Sequence, residues 1–127
     1  MKISFYCLLL FLPFLASCQQ EVSGDLPISE FDQKLLKNGI LIDVRTPEEF
    51  KNGYIKNAKN INWFDADFAD KFREVDKDQT IYLYCKVGGR SGQAQKKLQD
   101  MEYKKVVNLT GGYDAYKREA IKNPDPK

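Results

Sequence analysis

The chain has 127 residues, enough for one ordinary domain. Its 20 Lys plus Arg against 18 Asp plus Glu give a formal charge of +2, too small a surplus to mark a nucleic-acid binder. Histidine is absent, which excludes Ser-His-Asp and Cys-His catalysis, His-ligated haem and most catalytic zinc sites, so any nucleophile must be activated without imidazole.

In chain order, Met1-Lys2 precedes an apolar run from Ile3 to Ala16, shorter than the about 20 residues a membrane-spanning helix needs. A basic residue, a short apolar stretch and small residues are the parts of a secretory signal, here residues 1–17. The run ends Leu15-Ala16-Ser17-Cys18, which resembles the lipobox of bacterial lipoprotein precursors. That resemblance implies acylation of Cys18 and a lipid anchor in the bacterial cell envelope, since more than one acyl chain holds a protein on a membrane stably. Gln19 stands where an Asp would mark inner-membrane retention, which favours the outer membrane facing the periplasm. Residues 18–27 are polar, contain Gly24 and Pro27, and read as a tether. The folded domain is expected over 28–121, with a tail at 122–127.

Ser29 can cap a helix through Phe31, Leu35 and Leu36. Four short runs rich in Val, Ile and Tyr predict strands: Ile40 to Val44, Ala58 to Ile61, Thr80 to Tyr84 and Val106 to Leu109. Thr46-Pro47-Glu48-Glu49 is a helix start, with Thr46 as cap, Pro47 in the first turn and Glu49 closing a capping box; Gly53 ends that helix. Phe64, Phe68, Phe72 and Val75 recur at helical spacing and read as a core stripe. Ala94, Leu98 and Met101 mark another helix, and Gly111-Gly112 precedes a last one containing Ala115 and Ile121. Strands alternating with helices imply an α/β fold, a mostly parallel sheet with helices on both faces. Ligands bind beyond the carboxyl ends of such strands, and the turns after Ile42 and Tyr84 therefore place Asp43 and Cys85 at one end of the sheet.

Cys7 leaves with the signal and Cys18 carries lipid, so Cys85 is the one free thiol left, in a compartment where thiols are commonly oxidised. Between Cys85 and the helix near Ser91 lie Lys86, Val87, Gly88, Gly89 and Arg90. Adjacent glycines let the loop curl so that successive N–H groups point inward as an anion nest, and the helix N-terminus adds its positive dipole end. With the charges of Lys86 and Arg90, each feature favours thiolate over thiol. Field and hydrogen bonds, rather than a base, would activate the sulfur. No metal site and no cofactor is expected from these residues.

Three blocks resemble the rhodanese family: Leu41-Ile42-Asp43-Val44-Arg45 followed by Glu49-Phe50, Gly53-Tyr54-Ile55, Ala58 and Asn60-Ile61; Tyr84-Cys85, four residues, then Arg90-Ser91; and Leu109-Thr110-Gly111-Gly112-Tyr113-Asp114-Ala115-Tyr116. The resemblance implies a five-stranded sheet and sulfurtransferase chemistry. Cys85 thiolate would take a sulfane sulfur from thiosulfate or a persulfide or polysulfide and become a persulfide, and cyanide or a thiol would accept it. The N–H groups from Lys86 through Ser91 would hold the anion. Arg90 would brace the loop through a carboxylate, with Asp43 the expected partner, while Arg45 would pair with Glu49. Tyr54, Asn62 and Tyr116 depart from the family's usual His, Pro and Trp. Cys-dependent phosphatases and arsenate reductases use a similar cradle with one more residue between Cys and Arg. A lipid-anchored persulfide carrier or interaction module, loaded without turnover, would use the same residues as the enzyme.

Overall fold

The computed structural model describes residues 22–122. Their centre is a parallel sheet of β1 (Gly24–Pro27), β2 (Gly39–Asp43), β3 (Lys59–Asn60), β4 (Thr80–Tyr84) and β5 (Val106–Thr110), in spatial order β1-β5-β4-β2-β3. The helices are α1 (Pro47–Lys51), α2 (Gly89–Asp100) and α3 (Gly112–Lys122), joined by 3₁₀ turns at Ile28–Glu30, Gln33–Asn38 and Asp70–Phe72. Residues 1–17, Cys18 and the tail from 123 onward lie outside the described residues.

Parallel strands need crossovers, and crossovers cover both faces, so alternate side chains of each strand enter two separate cores. Ile42, Val44, Ile81, Leu83, Cys85 and Val106 face Ala94 and Leu98 of α2, together with Phe68 and Phe72. Leu41, Tyr82, Tyr84, Val107 and Leu109 face the other way, toward Ile28, Ile55, Tyr113 and Tyr116. The central strands are buried on both faces: β4 is Ile, Tyr, Leu and Tyr from Ile81 to Tyr84, and β5 is buried with Asn108 among its Val and Leu residues.

Five local expectations are corrected. The end of the presumed tether is an edge strand: β1 pairs in parallel with β5 from Gly24↔Val107 to Pro27↔Thr110. Gln95 of α2 ties that edge down, its amide donating to the Gly24 carbonyl at 2.7 Å and the Val106 carbonyl at 3.1 Å. A single Leu26 between Asp25 and Pro27 is too weak a pattern to show in the sequence. Ser29 caps nothing; Asp32 does, its carboxylate accepting from the Lys34 amide at 2.8 Å, and the segment is 3₁₀ rather than α. The run at 58–61 pairs over Lys59–Asn60 only. The Phe64–Val75 stripe is no continuous helix: Phe68 and Phe72 are buried, but Phe64 is 67% exposed. At the C-terminal side, α3 runs one residue past the expected domain end, through Lys122.

Candidate active site

The site is built from β4 outward. β4 delivers Cys85 at its carboxyl end, and the chain turns through Lys86, Val87 and Gly88 into α2. Gly88 has φ +113°, a left-handed conformation that side-chain-bearing residues rarely adopt, and it is the residue that turns the loop. Gly89 keeps an ordinary negative φ, so of the two adjacent glycines the turn itself uses one.

That turn aims donors at the sulfur. The Gly88 amide lies 3.0 Å from Cys85 Sγ. The Ser91 hydroxyl lies 3.4 Å from Sγ and 3.2 Å from the Gly88 carbonyl, so its single proton serves one acceptor or the other. Cys85 is only 1% exposed. Burial pushes its thiol up, but the Ser91 hydroxyl with the amides of Ser91, Gly88 and Val87 pulls it down further, leaving it below its ordinary value. The amides directed at the sulfur are thus narrower in span than the expected Lys86-to-Ser91 arc.

The loop is held from behind by α3, on the opposite face of the sheet. The Tyr113 amide donates to the Cys85 carbonyl at 2.8 Å and the Asp114 amide to the Lys86 carbonyl at 3.1 Å. These bonds turn the carbonyls away from the sulfur, which is what leaves the amides facing it. Gly112, at φ +60°, makes the approach possible: a Cβ there would stand 2.6 Å from the carbonyl oxygens of both Cys85 and Lys86. Sequence reasoning missed this clamp, although Gly111-Gly112-Tyr113-Asp114 was its visible signal.

The cations are arranged differently from expectation. Arg90 does not reach Asp43; it makes a bidentate pair with Glu49, Nη1–Oε2 2.7 Å and Nη2–Oε1 2.8 Å. Arg45 does not meet Glu49; it folds back on Asp43 at 2.6 Å, donates to the Gly53 carbonyl at 2.7 Å, and lies 4.2 Å from the Tyr113 ring centroid. Strand parity explains the exchange. Asp43 sits opposite Tyr84 in register and shares its face, whereas Cys85 and α2 occupy the other. Asp43 is wholly buried there with Arg45, an ion pair under the sheet end on the face away from Cys85. Glu49 is already oriented by the capping box, accepting from the Thr46 amide at 3.0 Å. The hydrogen bond from Arg90, opposed by burial and aided by Thr46, lowers its carboxyl to about 2. Lys86 turns to Asp114 at 2.7 Å, so its charge is spent behind the loop rather than on the sulfur.

Thus Cys85, Val87, Gly88 and Ser91 meet around one sulfur, with Arg90 at the start of α2. Among the described residues, no three His, Cys, Asp or Glu side chains gather as metal ligands. A pocket of about 320 Å³ lined by Leu36, Gly39, Ile40, Leu41, Asn57 and Lys59 opens at the amino ends of β2 and β3, the wrong end of the sheet for this loop. The arrangement provides a buried thiol, held below its ordinary pKa, in a ring of N–H and O–H donors, suited to a step in which negative charge resides on sulfur.

Comparison with known proteins agrees with that geometry. The rhodanese-like domain family matches residues 28–119. The chain is 34% identical over 82 residues to a sulfurtransferase of Allochromatium vinosum, covering 65% of this chain and 75% of the relative. It is 36% identical over 70 residues to the thiosulfate sulfurtransferase PspE of Escherichia coli, covering 55% of this chain and 67% of the relative. A crystal structure of a rhodanese-like domain protein from Staphylococcus aureus superposes with a TM-score of 0.64 at 32% identity, over 73% of this chain and 90% of that one. With its five-stranded parallel sheet and its Cys85 loop, the chain belongs to the rhodanese-like domain family, which includes sulfurtransferases.

Proposed function

We propose that this protein transfers a sulfane sulfur through a Cys85 persulfide, from thiosulfate or an organic persulfide or polysulfide to a thiophilic acceptor such as cyanide or a thiol. The observation that carries the proposal is the Cys85 sulfur itself, buried yet faced by the Gly88 amide at 3.0 Å and the Ser91 hydroxyl at 3.4 Å. In the first half-reaction the thiolate attacks the outer sulfur of the donor. With thiosulfate the S–S bond breaks, sulfite leaves with the electron pair, and Cys85 is left as Cys–S–S⁻. In the second, the acceptor attacks the outer persulfide sulfur and returns the thiolate. Charges and electrons balance without an outside oxidant or reductant. The amides of Val87, Gly88 and Ser91 stabilise the anion in both states, while Arg90, paired with Glu49, stands at the start of α2.

The lone-thiol chemistry accords with a place in the bacterial cell envelope, lipid-anchored through Cys18, the reading supported by Leu15-Ala16-Ser17-Cys18. Intact mass spectrometry tests the first half-reaction. After exposure to a sulfane donor, the wild type should gain one sulfur atom, cyanide should remove it with thiocyanate released over many turnovers, and Cys85→Ser should gain none. A Cys85→Ser protein that still turns over would refute the assignment. Cys18→Ala should lose its lipid mass and leave the membrane fraction; a variant that stays there unchanged refutes the anchor.

A further inference from the structure

Resting on the sulfurtransferase reading, we infer that the donor this site selects is an organic persulfide, R–S–SH, with an apolar group beside its sulfur, in preference to the thiosulfate dianion. The mouth of the loop has little net positive charge to offer a dianion. Arg90 is tied bidentately to Glu49, at 2.7 and 2.8 Å. Lys86 is held on Asp114, which also takes Lys117 at 3.7 Å, and this cluster lies on the α3 side, where the loop shows its carbonyls. Arg45 is 4% exposed and belongs to Asp43 under the opposite face. Thiosulfate brings two negative charges toward a thiolate, and at this mouth the nearest guanidinium is already neutralised by the Glu49 carboxylate. A persulfide protonated on its outer sulfur approaches uncharged, so the paired Arg90 costs it little.

Two exposed side chains, one on the loop and one beside Arg90, point the same way. Val87, whose amide faces the sulfur, is 64% exposed, and Phe64 is 67% exposed with its ring centroid 5.8 Å from the Arg90 guanidinium carbon. Two large apolar side chains thus stand in solvent at the rim of a polar cradle, where a small inorganic anion would leave them wet. An apolar R group would cover them. Gly89, next in the loop, has nothing within 4 Å of where a Cβ would stand, so the rim there is open to a bulky donor.

The step balances: Cys85–S⁻ plus R–S–SH gives Cys85–S–SH plus R–S⁻, with one S–S bond formed and one broken and the electron pair leaving on the departing thiolate.

The test measures the rate of sulfur loading on Cys85 by intact mass, with benzyl hydropersulfide, glutathione persulfide and thiosulfate as donors to the full-length protein. Benzyl hydropersulfide should load at least about tenfold more efficiently than thiosulfate, and ahead of glutathione persulfide. Glu49→Gln, which keeps the capping acceptor but releases the guanidinium, should raise the thiosulfate-to-benzyl ratio about fivefold. Phe64→Ser with Val87→Ser should lower the benzyl-to-glutathione ratio by several fold. Because each readout is a ratio within one variant, a change in the folded fraction cancels. Thiosulfate loading as fast as benzyl hydropersulfide, or ratios unmoved by these variants, overturns the inference while leaving the sulfurtransferase reading intact. Loading by none of the three donors overturns both.

Discussion

The Tyr113 amide and the Cys85 carbonyl meet at 2.8 Å, so the first turn of α3 decides which way the peptide after Cys85 faces. Gly112 is where that relationship is most easily broken. It combines a φ of +60° with a Cβ direction running into two carbonyl oxygens at 2.6 Å. Gly112→Ala must therefore accept left-handed strain of about 1–3 kcal/mol and also push the loop off α3. We expect a lower Tm, a slower loading of sulfur, and a Cys85 thiolate that titrates higher than in the wild type, read by its ultraviolet absorbance. A variant with lowered Tm and an unchanged thiolate titration would show that the clamp serves stability alone.

Ser91 separates the hydroxyl's part in activation from that of the amides. In the thiolate state its proton should turn from the Gly88 carbonyl, 3.2 Å away, to Sγ, 3.4 Å away, since hydrogen bonds to charged groups contribute about 1.5–3 kcal/mol. Cys85 is held below its ordinary value, so loading in the wild type should rise with pH through an inflection below that of a free thiol and then level off. Ser91→Ala should move the inflection upward and slow loading near neutral pH, with the plateau at high pH largely retained. Thiolate formation is the quantity that the hydroxyl changes, so a pH profile that falls uniformly without shifting would argue for a packing role instead.

How much of this was legible in the sequence follows strand parity and reach. The runs at 40–44, 80–84 and 106–109 locate β2, β4 and β5 because buried parallel strands are largely Val, Ile, Leu and Tyr, whereas Lys59–Asn60 of β3 is marked only by its flanking Ala58 and Ile61. β1 escaped notice because Gly24 and Pro27 are loop residues by composition, and only its pairing with β5 makes Gly24–Pro27 a strand. The Thr46–Glu49 box was readable because capping chemistry is local. The ion pairs were not. Asp43 and Cys85 do stand at the same sheet end, but on opposite faces: Asp43 lies with Leu41 and Tyr84, and Cys85 with Ile42 and Val44. Counting by twos along β2 and β4 would have removed Asp43 as the partner of Arg90. Nothing local, by contrast, could have matched Arg90 to Glu49 across 41 residues.

The Asp43–Arg45 pair should prove structural. Both side chains are nearly or wholly buried, and once the carboxylate is gone Arg45 keeps the Gly53 carbonyl and the Tyr113 and Tyr84 rings but no anion. Removing one partner of a buried pair costs about 3–5 kcal/mol, because the remaining charge stays out of water. Asp43→Ala should therefore lower Tm by more than about 10 °C in a domain of this size. In protein kept folded at low temperature, sulfur should still load on Cys85, since Asp43 faces away from it. A Tm drop of only a degree or two would contradict the structural assignment; a stable variant unable to load would instead give Asp43 a part in the chemistry.

Glu49 gives the fold a defined acid sensitivity. The Arg90 hydrogen bond, against burial and with help from Thr46, lowers its carboxyl to about 2, whereas in the unfolded chain it titrates near the usual value of about 4.3. A depressed folded pKa means that the unfolded state binds the proton first on acidification. The pair's contribution is therefore fully present above about pH 4.3 and is lost as pH falls from there toward about 2. Because Glu49 and Arg90 are both partly solvated, its size is expected at the modest level of exposed pairs. Urea unfolding of the wild type and Glu49→Gln at a series of pH values isolates it: the gap between the two should be steady from neutral pH to about 5 and close progressively below about 4. A gap that widens on acidification would mean that Glu49 is protonated more readily in the folded protein, and would contradict the bidentate pair with Arg90.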